Sequence, residues 1–191
     1  MNNTKSIMIV GVGGQGSLLA SKLLGELLVG EGFDVKVSEV HGMSQRGGSV
    51  VTYVRYGDKV ASPIICEGEA DFIVSFERLE AARWLPCLRE GGRIIVNSQM
   101  IDPMPVITGV ASYPADVIDE ITASGVNVDM LDALSIATEA GSVKAVNIVL
   151  MGRLAKYLGI PEEKWLIAIE KVVKPKFVEL NKKAFHLGSM A

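Results

Sequence analysis

The sequence predicts an α/β fold: a Rossmann-like open sheet, mostly parallel, with a β-hairpin insertion and a helical C-terminal extension. Three observations favour this fold. A strand, a glycine-rich turn, a helix and a second strand follow one another near the start of the chain. Further apolar runs of strand length alternate with helical patterns, and the last third is mostly helical in pattern. The 191 residues suit one domain, with a Rossmann-like part over 1–142 and a helical part over 143–191.

The first βαβ unit is predicted over residues 6–40. Residues 6–10 are apolar and precede a glycine, as expected of a strand that is buried on both faces. Residues 15–29 carry leucines at helical spacing, and Gly30 ends that pattern. Residues 33–40 then read as the second strand, which completes the unit.

The elements after this unit follow from turn residues and from hydrophobic periodicity. Two β-rich runs, 49–56 and 60–65, flank a Gly-Asp turn and predict a hairpin. The remaining elements are predicted, in chain order, as a strand at 70–76, a helix at 77–88, strands at 93–97 and 106–111, and helices at 114–121, 131–140, 143–158, 161–173 and 175–187. The helix at 143–158 is apolar on most faces, which predicts deep burial.

The composition excludes several classes of protein. Hydrophobic residues make up 49% and charged residues 21%, so intrinsic disorder is excluded for most of the chain. A net charge of −3 gives no indication of a nucleic-acid partner. Two cysteines are too few for an iron–sulfur cluster, which takes about four ligands, and both are expected to be small, buried or half-buried residues. With neither a signal-peptide pattern nor an apolar run of membrane-spanning length, we expect a cytoplasmic protein without a membrane partner.

The turn between the first strand and the first helix carries a GxGxxG motif. In this context the glycines allow a tight turn and a close approach of the backbone to a ligand, and the helix N-terminus offers N–H groups to a phosphate. The candidate phosphate-binding residues are Gly11, Gly13, Gly14, Gln15, Gly16 and Ser17. The alternative is that this turn is a structural crossover that binds no ligand.

An acidic residue near the end of the second strand favours a dinucleotide. Glu39 lies 23 residues after Gly16, close to the spacing at which an NAD-binding Rossmann unit carries its ribose-binding acid. An NAD-dependent oxidoreductase therefore remains one hypothesis, and a non-catalytic nucleotide-binding module is another.

A second polar, glycine-rich loop follows the second strand. Open α/β sheets bind their ligands at the carboxyl ends of strands, so this loop is a candidate for a loop of the active complex or a subunit interface. Its candidate residues are His41, Gly42, Ser44, Gln45, Arg46, Gly47 and Gly48. The arginine suits an anion or a subunit contact, whereas an ordinary loop or contact role is favoured for the histidine. We hypothesise that residues 13–17 and 41–48 form one surface.

Together the two loops, GVGGQG and SEVHGMSQRGGSVV, resemble the gamma-type subunits of the 2-oxoacid:ferredoxin oxidoreductases. Further matches to this family are Tyr113-Pro114-Ala115-Asp116, Ala145-Val146-Asn147, Met151-Gly152 and Asn181-Lys182-Lys183-Ala184-Phe185. The resemblance covers essentially the whole chain as one gamma-type domain. The form HGMSQRGG and the freestanding length are most similar to the indolepyruvate branch of the family.

This resemblance implies a subunit of an enzyme that oxidatively decarboxylates aryl 2-oxoacids to acyl-CoA and reduces ferredoxin. It implies a large alpha subunit that carries thiamine diphosphate and 4Fe-4S clusters, with coenzyme A (CoA) as co-substrate and no cofactor firmly bound by this chain. CoA is then the natural candidate ligand of the glycine turn, with a purely structural role of the turn as the equal alternative. The NAD hypothesis loses most of its weight, and no catalytic residue is assigned. Pyruvate, 2-oxoglutarate or ketoisovalerate is the alternative substrate.

Overall fold

A computed structural model describes residues 4–39 and 48–191. The strands are Lys5–Val12 (β1), Asp34–Glu39 (β2), Ser49–Gly57 (β3), Ala70–Ser75 (β4), Leu88–Asn97 (β5) and Asn127–Leu131 (β6). The helices are Ser17–Gly30 (α1), Arg78–Trp84 (α2), Met104–Ile107 (α3), Val117–Ala123 (α4), Ala133–Ala140 (α5), Val146–Leu158 (α6), Glu162–Val172 (α7) and Val178–Met190 (α8). Short 3₁₀ turns lie at Leu85–Cys87, Val143–Ala145 and Pro175–Phe177.

The six described strands form one sheet in the order β2-β3-β1-β4-β5-β6. Strands β1, β4, β5 and β6 lie next to one another in that order and pair in parallel. Strand β3 runs antiparallel to both β1 and β2. Five of these six strands therefore point the same way, which confirms the prediction of a mostly parallel α/β sheet. After β1 the chain continues to β2, which lies on one side of β1 in the sheet, whereas β4 lies on the other side of β1. This reversal of direction opens a crevice between the carboxyl ends of β1 and β4.

Both faces of the sheet are covered by helices. Alternate residues of β1 explain why its apolar run is continuous: Ile7 and Ile9 face one hydrophobic cluster, and Met8 and Val10 face the other. The larger cluster packs the sheet against α1 and α5–α8, and the smaller one packs it against α2 and α4. The C-terminal helices thus share a core with the sheet.

Helices α6 and α8 pack backbone to backbone. A Cβ atom on Gly152 would lie 2.2 Å from the carbonyl oxygen of Phe185, and one on Gly188 would lie 2.1 Å from that of Val149. Only glycine fits at both positions because the two helices touch there. Residues 148–151 of α6 are fully buried, which confirms the deep burial that the apolar pattern predicts.

The predicted hairpin of residues 49–56 with 60–65 is not formed. Residues 60–65 form no strand, and β3 pairs instead with β2 and β1. Backbone groups of this segment form hydrogen bonds with side chains instead of with a neighbouring strand. The N–H of Val60 donates to a carboxylate oxygen of Asp34 at 2.8 Å, and Arg55 donates to the carbonyl of Ile64 at 2.7 Å. The antiparallel partner of β3 on this side of the sheet is β2.

Two further predictions need correction in the second half of the chain. Residues 106–111 form no strand: Pro103 precedes the short helix α3, and its carbonyl accepts from the N–H groups of Val106 and Ile107 at 2.9 and 3.1 Å. The helix predicted at 77–88 ends at Trp84, where Pro86 converts the next turn to 3₁₀ form. A sixth strand, β6, has no counterpart among the predicted elements.

Candidate functional site

The glycine turn lies at the carboxyl end of β1, beside the crevice between β1 and β4. Its backbone is tied to the start of β3, because the N–H of Gly13 donates to the carbonyl of Gly48 at 2.9 Å. The N–H of Gln15 donates to the carbonyl of Val12 at 3.3 Å, which closes the turn. This geometry brings a described residue of the second loop, Gly48, against the glycine turn.

Gln15 shapes the turn from inside. Its carboxamide oxygen accepts from the N–H of Val12 at 2.7 Å, and its Nε2 donates to the carbonyl of Phe76 at 3.2 Å. A Cβ atom on Gly11 would lie 2.7 Å from that carboxamide oxygen and 2.9 Å from the Cβ of Phe76. Gly11 is thus required for the Gln15 side chain to fold back, and Gln15 acts as a positioning residue.

Gly16 makes close contact with helix α6. Its φ of +90° suits glycine, and a Cβ atom there would lie 2.6 Å from the side-chain nitrogen of Asn147. The same nitrogen donates to the carbonyl of Gly16 at 3.0 Å, across 131 positions of sequence. The last glycine of the motif therefore fixes the turn to α6 through Asn147.

Gly14 differs from Gly11 and Gly16 of the same turn because it faces open space. Its φ is +98°, and a Cβ atom there would meet no other atom within 4 Å. Among the described residues, no carbonyl oxygen accepts from the N–H groups of Gly14, Gly16, Ser17 or Leu18. The first turn of α1 carries no acidic residue. These N–H groups and the positive end of the helix dipole suit an anion.

A pocket of about 550 Å³ opens at this turn. Its lining combines peptide N–H groups and one ammonium group with apolar side chains. The lining residues are Gly14, Gln15, Gly16, Gln99, Leu134, Val143, Lys144 and Val146. Lys144 is exposed and supplies the positive charge. The arrangement can hold a ligand that is anionic at one part and apolar at another.

The buried side-chain amide of Asn97 stiffens the rim of this pocket. The side-chain nitrogen of Asn97, at the end of β5, donates to the carbonyl of Phe76 at 3.1 Å. Its oxygen accepts from the N–H of Ala133 at the start of α5, also at 3.1 Å. Because Asn97 is fully buried, these bonds join the ends of β4 and β5 to α5 and hold the rim in one geometry.

A buried carboxylate lies at the end of β4. Glu77 caps α2 by accepting from the N–H of Glu80 at 2.9 Å, and it also accepts from the phenol of Tyr113 and from the N–H of Ile101 at 3.2 Å. Burial raises the pKa of Tyr113 first, and the hydrogen bond to the Glu77 carboxylate raises it further. Tyr113 is therefore a protonated donor at neutral pH, and the cluster anchors the chain between β5 and α4.

Glu39 does not take the position that an NAD-binding unit requires. The antiparallel strand β3 lies between β1 and β2, which places the end of β2 two strand spacings, about 10 Å, from β1. The Glu39 carboxylate accepts from the hydroxyl of Ser21 on α1 at 2.5 Å. The spacing in sequence matches a dinucleotide site, whereas the strand order does not.

Part of the second predicted cluster is outside the described residues. These are His41, Gly42, Ser44, Gln45, Arg46 and Gly47. Residues 41–48 remain a predicted interface or active-complex loop, with the contact between Gly13 and Gly48 as support.

The described residues contain no group of three or more His, Cys, Asp or Glu side chains placed to hold a metal ion. The two cysteines are free; Cys87 is half-buried as expected, but Cys66 is exposed, which corrects that expectation. His186 pairs with Glu162 at 3.0 Å on the helical side of the molecule. Within the described residues, no helix is long and apolar enough to cross a membrane.

Comparison with known proteins decides the family. The family model described as pyruvate ferredoxin/flavodoxin oxidoreductase matches residues 6–191. The chain belongs to this family. The resemblance drawn from its two loops is thereby confirmed, and the match gives no support to the alternative of a self-sufficient NAD-dependent enzyme.

Three relatives place the chain more closely. The indolepyruvate oxidoreductase subunit IorB of Pyrococcus horikoshii is 45% identical over 191 residues, which cover 97% of this chain and 95% of the relative. The keto/oxoacid ferredoxin oxidoreductase gamma subunit of Geobacter sulfurreducens has the same fold at 23% identity, with a TM-score of 0.72 over 96% and 95% of the two chains. The 2-oxoglutarate:ferredoxin oxidoreductase of Magnetococcus marinus matches all of this chain but only 31% of its own, with a TM-score of 0.75 and 17% identity.

Three residues at or beside the pocket were not among the predicted site residues. Lys144 in the pocket lining and Asn147, which donates to Gly16, lie more than 120 positions after the glycine turn, and only the packing of the segment from Val143 into α6 brings them to it. Gln99 follows the apolar run of β5, so its place at the carboxyl end of a strand was the available signal.

Proposed function

We propose that this chain is the small subunit of an indolepyruvate:ferredoxin oxidoreductase. With a large subunit it oxidatively decarboxylates aryl pyruvates to acyl-CoA and reduces ferredoxin. The full-length 45% identity to an indolepyruvate oxidoreductase subunit carries the substrate class. The large subunit carries thiamine diphosphate and iron–sulfur clusters. Thiamine diphosphate, when bound there, supplies the decarboxylation chemistry.

The pocket at the glycine turn gives this small subunit its task. The peptide N–H groups of Gly14, Gly16 and Ser17 and the Lys144 ammonium group provide positive potential for the phosphates of CoA. Apolar side chains at Leu134, Val143 and Val146 line the same pocket and suit the less polar part of that ligand. The Magnetococcus marinus relative has been solved with CoA and succinyl-CoA bound, which supports the same ligand class here.

In this proposal the chain binds and orients the acyl acceptor. Gln15 and Asn147 hold the turn so that its N–H groups point at one place before the ligand arrives. The fully buried Asn97 keeps the opposite rim from moving. Such a site raises the local concentration of CoA and orients its thiol toward the partner. This role requires no proton transfer by residues of this chain.

Reconstitution with the large subunit tests the proposal. The two chains are purified separately and mixed, and viologen reduction is followed with indolepyruvate, phenylpyruvate or pyruvate as substrate. We expect turnover only when both chains and CoA are present, and the highest kcat/KM with indolepyruvate. Full activity of the large subunit alone would overturn the proposal. A preference for pyruvate would assign the chain to another branch of the family.

A further inference from the structure

The chain between β5 and α4, residues 98–113, presents an exposed apolar surface at the same edge of the molecule as the pocket. Its most exposed apolar side chains are Met100 (50% exposed), Met104 (67%), Ile107 (64%) and Val110 (82%). Only one of its 16 residues, Asp102, is charged, against 21% for the whole chain. Charge depletion with methionine and aliphatic side chains is the composition of an interface core, and such patches mark interaction sites.

This segment is held in place at both ends. Near its start, the Arg78 guanidinium donates to the carbonyl of Ser98 at 2.7 Å, and the N–H of Ile101 donates to the Glu77 carboxylate at 3.2 Å. At its end, the Tyr113 phenol donates to the same buried carboxylate. The surface therefore exists before any partner arrives, so association does not have to order it.

The segment continues directly into the pocket. Gln99 belongs to both, and two further apolar side chains of the pocket lining, Leu134 and Val143, are exposed as well. A partner that covers residues 98–113 would thus also meet the mouth of the pocket. In the Magnetococcus marinus relative the same fold occupies 31% of a longer chain, so there it is joined to the remainder of the enzyme.

We propose that residues 98–113 are the docking surface for the large subunit, and that docking places the pocket mouth against the partner's reaction centre. This inference rests on the proposed function. In the proposed function the acyl group forms on the large subunit and its acceptor lies in the pocket of this chain, so the pocket mouth has to face the large subunit. A partner at this edge meets that requirement, whereas one on the helical faces would not.

Lysine substitutions in the segment test the inference. In Ile107→Lys and Val110→Lys an ammonium group replaces an exposed aliphatic side chain, so folding should be unaffected while docking would bury an unpaired charge. We expect the dissociation constant for the purified large subunit to rise at least about tenfold for each variant, since core residues of an interface dominate its affinity. Isothermal titration measures it, and thermal unfolding of the free chain verifies the fold.

Val29→Lys is the matched control. Val29 is 61% exposed and lies near the far end of α1, about 20 Å along the helix axis from the glycine turn, and it should leave affinity unchanged. Normal affinity of the Ile107 and Val110 variants in an active wild-type complex would overturn this inference alone. Failure of the wild-type chain to bind or activate the large subunit would overturn the proposed function and the docking surface together. Loss of a self-dimer, with large-subunit binding intact, would assign the surface to a second copy.

Discussion

Two polar regions of this molecule differ in how their hydrogen-bonding groups are used. At the pocket, the N–H groups of the glycine turn and the Lys144 ammonium group face a cavity. Between β6 and α6, Asp129 receives two hydrogen bonds of 2.7 Å from Arg153 and one of 2.5 Å from Tyr157, and the guanidinium of Arg93 lies 4.5 Å from the Tyr157 ring centroid. The difference separates the two roles: paired charges stabilise the fold, whereas donors that face a cavity are available to a ligand.

Breaking the Asp129 cluster should give the largest effect on stability. Arg153→Met leaves a nearly buried carboxylate without its cation, which costs about 3 kcal/mol of unfolding free energy. Urea denaturation of the free chain measures this loss. KM for CoA in the reconstituted complex should stay unchanged.

The double variant Asp129→Asn with Arg153→Met sharpens this prediction. Removing both partners leaves no uncompensated charge, so the double variant should be more stable than Arg153→Met alone. Equal or greater loss in the double variant would show that packing, rather than charge pairing, explains the single-variant result.

Alanine substitutions in the glycine turn should give the next largest losses of unfolding free energy, and the loss should differ between its two positive-φ glycines. Gly16→Ala places a methyl group 2.6 Å from the Asn147 side chain and forces alanine into a left-handed conformation, for a loss of about 2 kcal/mol. Gly14→Ala carries the conformational cost alone, about 1 kcal/mol, because its Cβ atom meets open space. Thermal unfolding of the two variants compares them. Equal losses would contradict the contact between Gly16 and α6.

The smallest effect is a pH dependence of stability. Burial would raise the pKa of Asp129, but the hydrogen bonds from Arg153 and Tyr157 outweigh it and lower that pKa below its ordinary value. The unfolded chain therefore binds this proton more readily. The stabilisation is complete above about pH 4, the unfolded pKa, and is lost as pH falls through the folded pKa. Between pH 6 and pH 3, the wild-type chain should lose more unfolding free energy than Asp129→Asn; parallel losses would exclude the pairing.

Local patterns explain what the sequence predicted well. The first βαβ unit and the C-terminal helices follow from apolar spacing, glycine positions and prolines within each segment. Strand β6 was missed because its buried polar residue, Asp129, is stabilised by Arg153 from another element. Glu39 matched a dinucleotide spacing, but the strand order that separates it from β1 is a tertiary property. Lys144 reaches the pocket only through helix packing, which no local pattern reveals.

Phosphate binding at the pocket is tested most directly by comparing CoA with pantetheine, an acyl acceptor that has the same thiol and no phosphates. In the reconstituted complex, kcat/KM for each acceptor is measured for the wild-type chain and for Lys144→Ala. We expect Lys144→Ala to lower kcat/KM for CoA about tenfold, because one charge contact to phosphate is lost, and to leave kcat/KM for pantetheine unchanged. An equal loss for both acceptors, or no loss for CoA, would contradict a phosphate-binding role for this pocket.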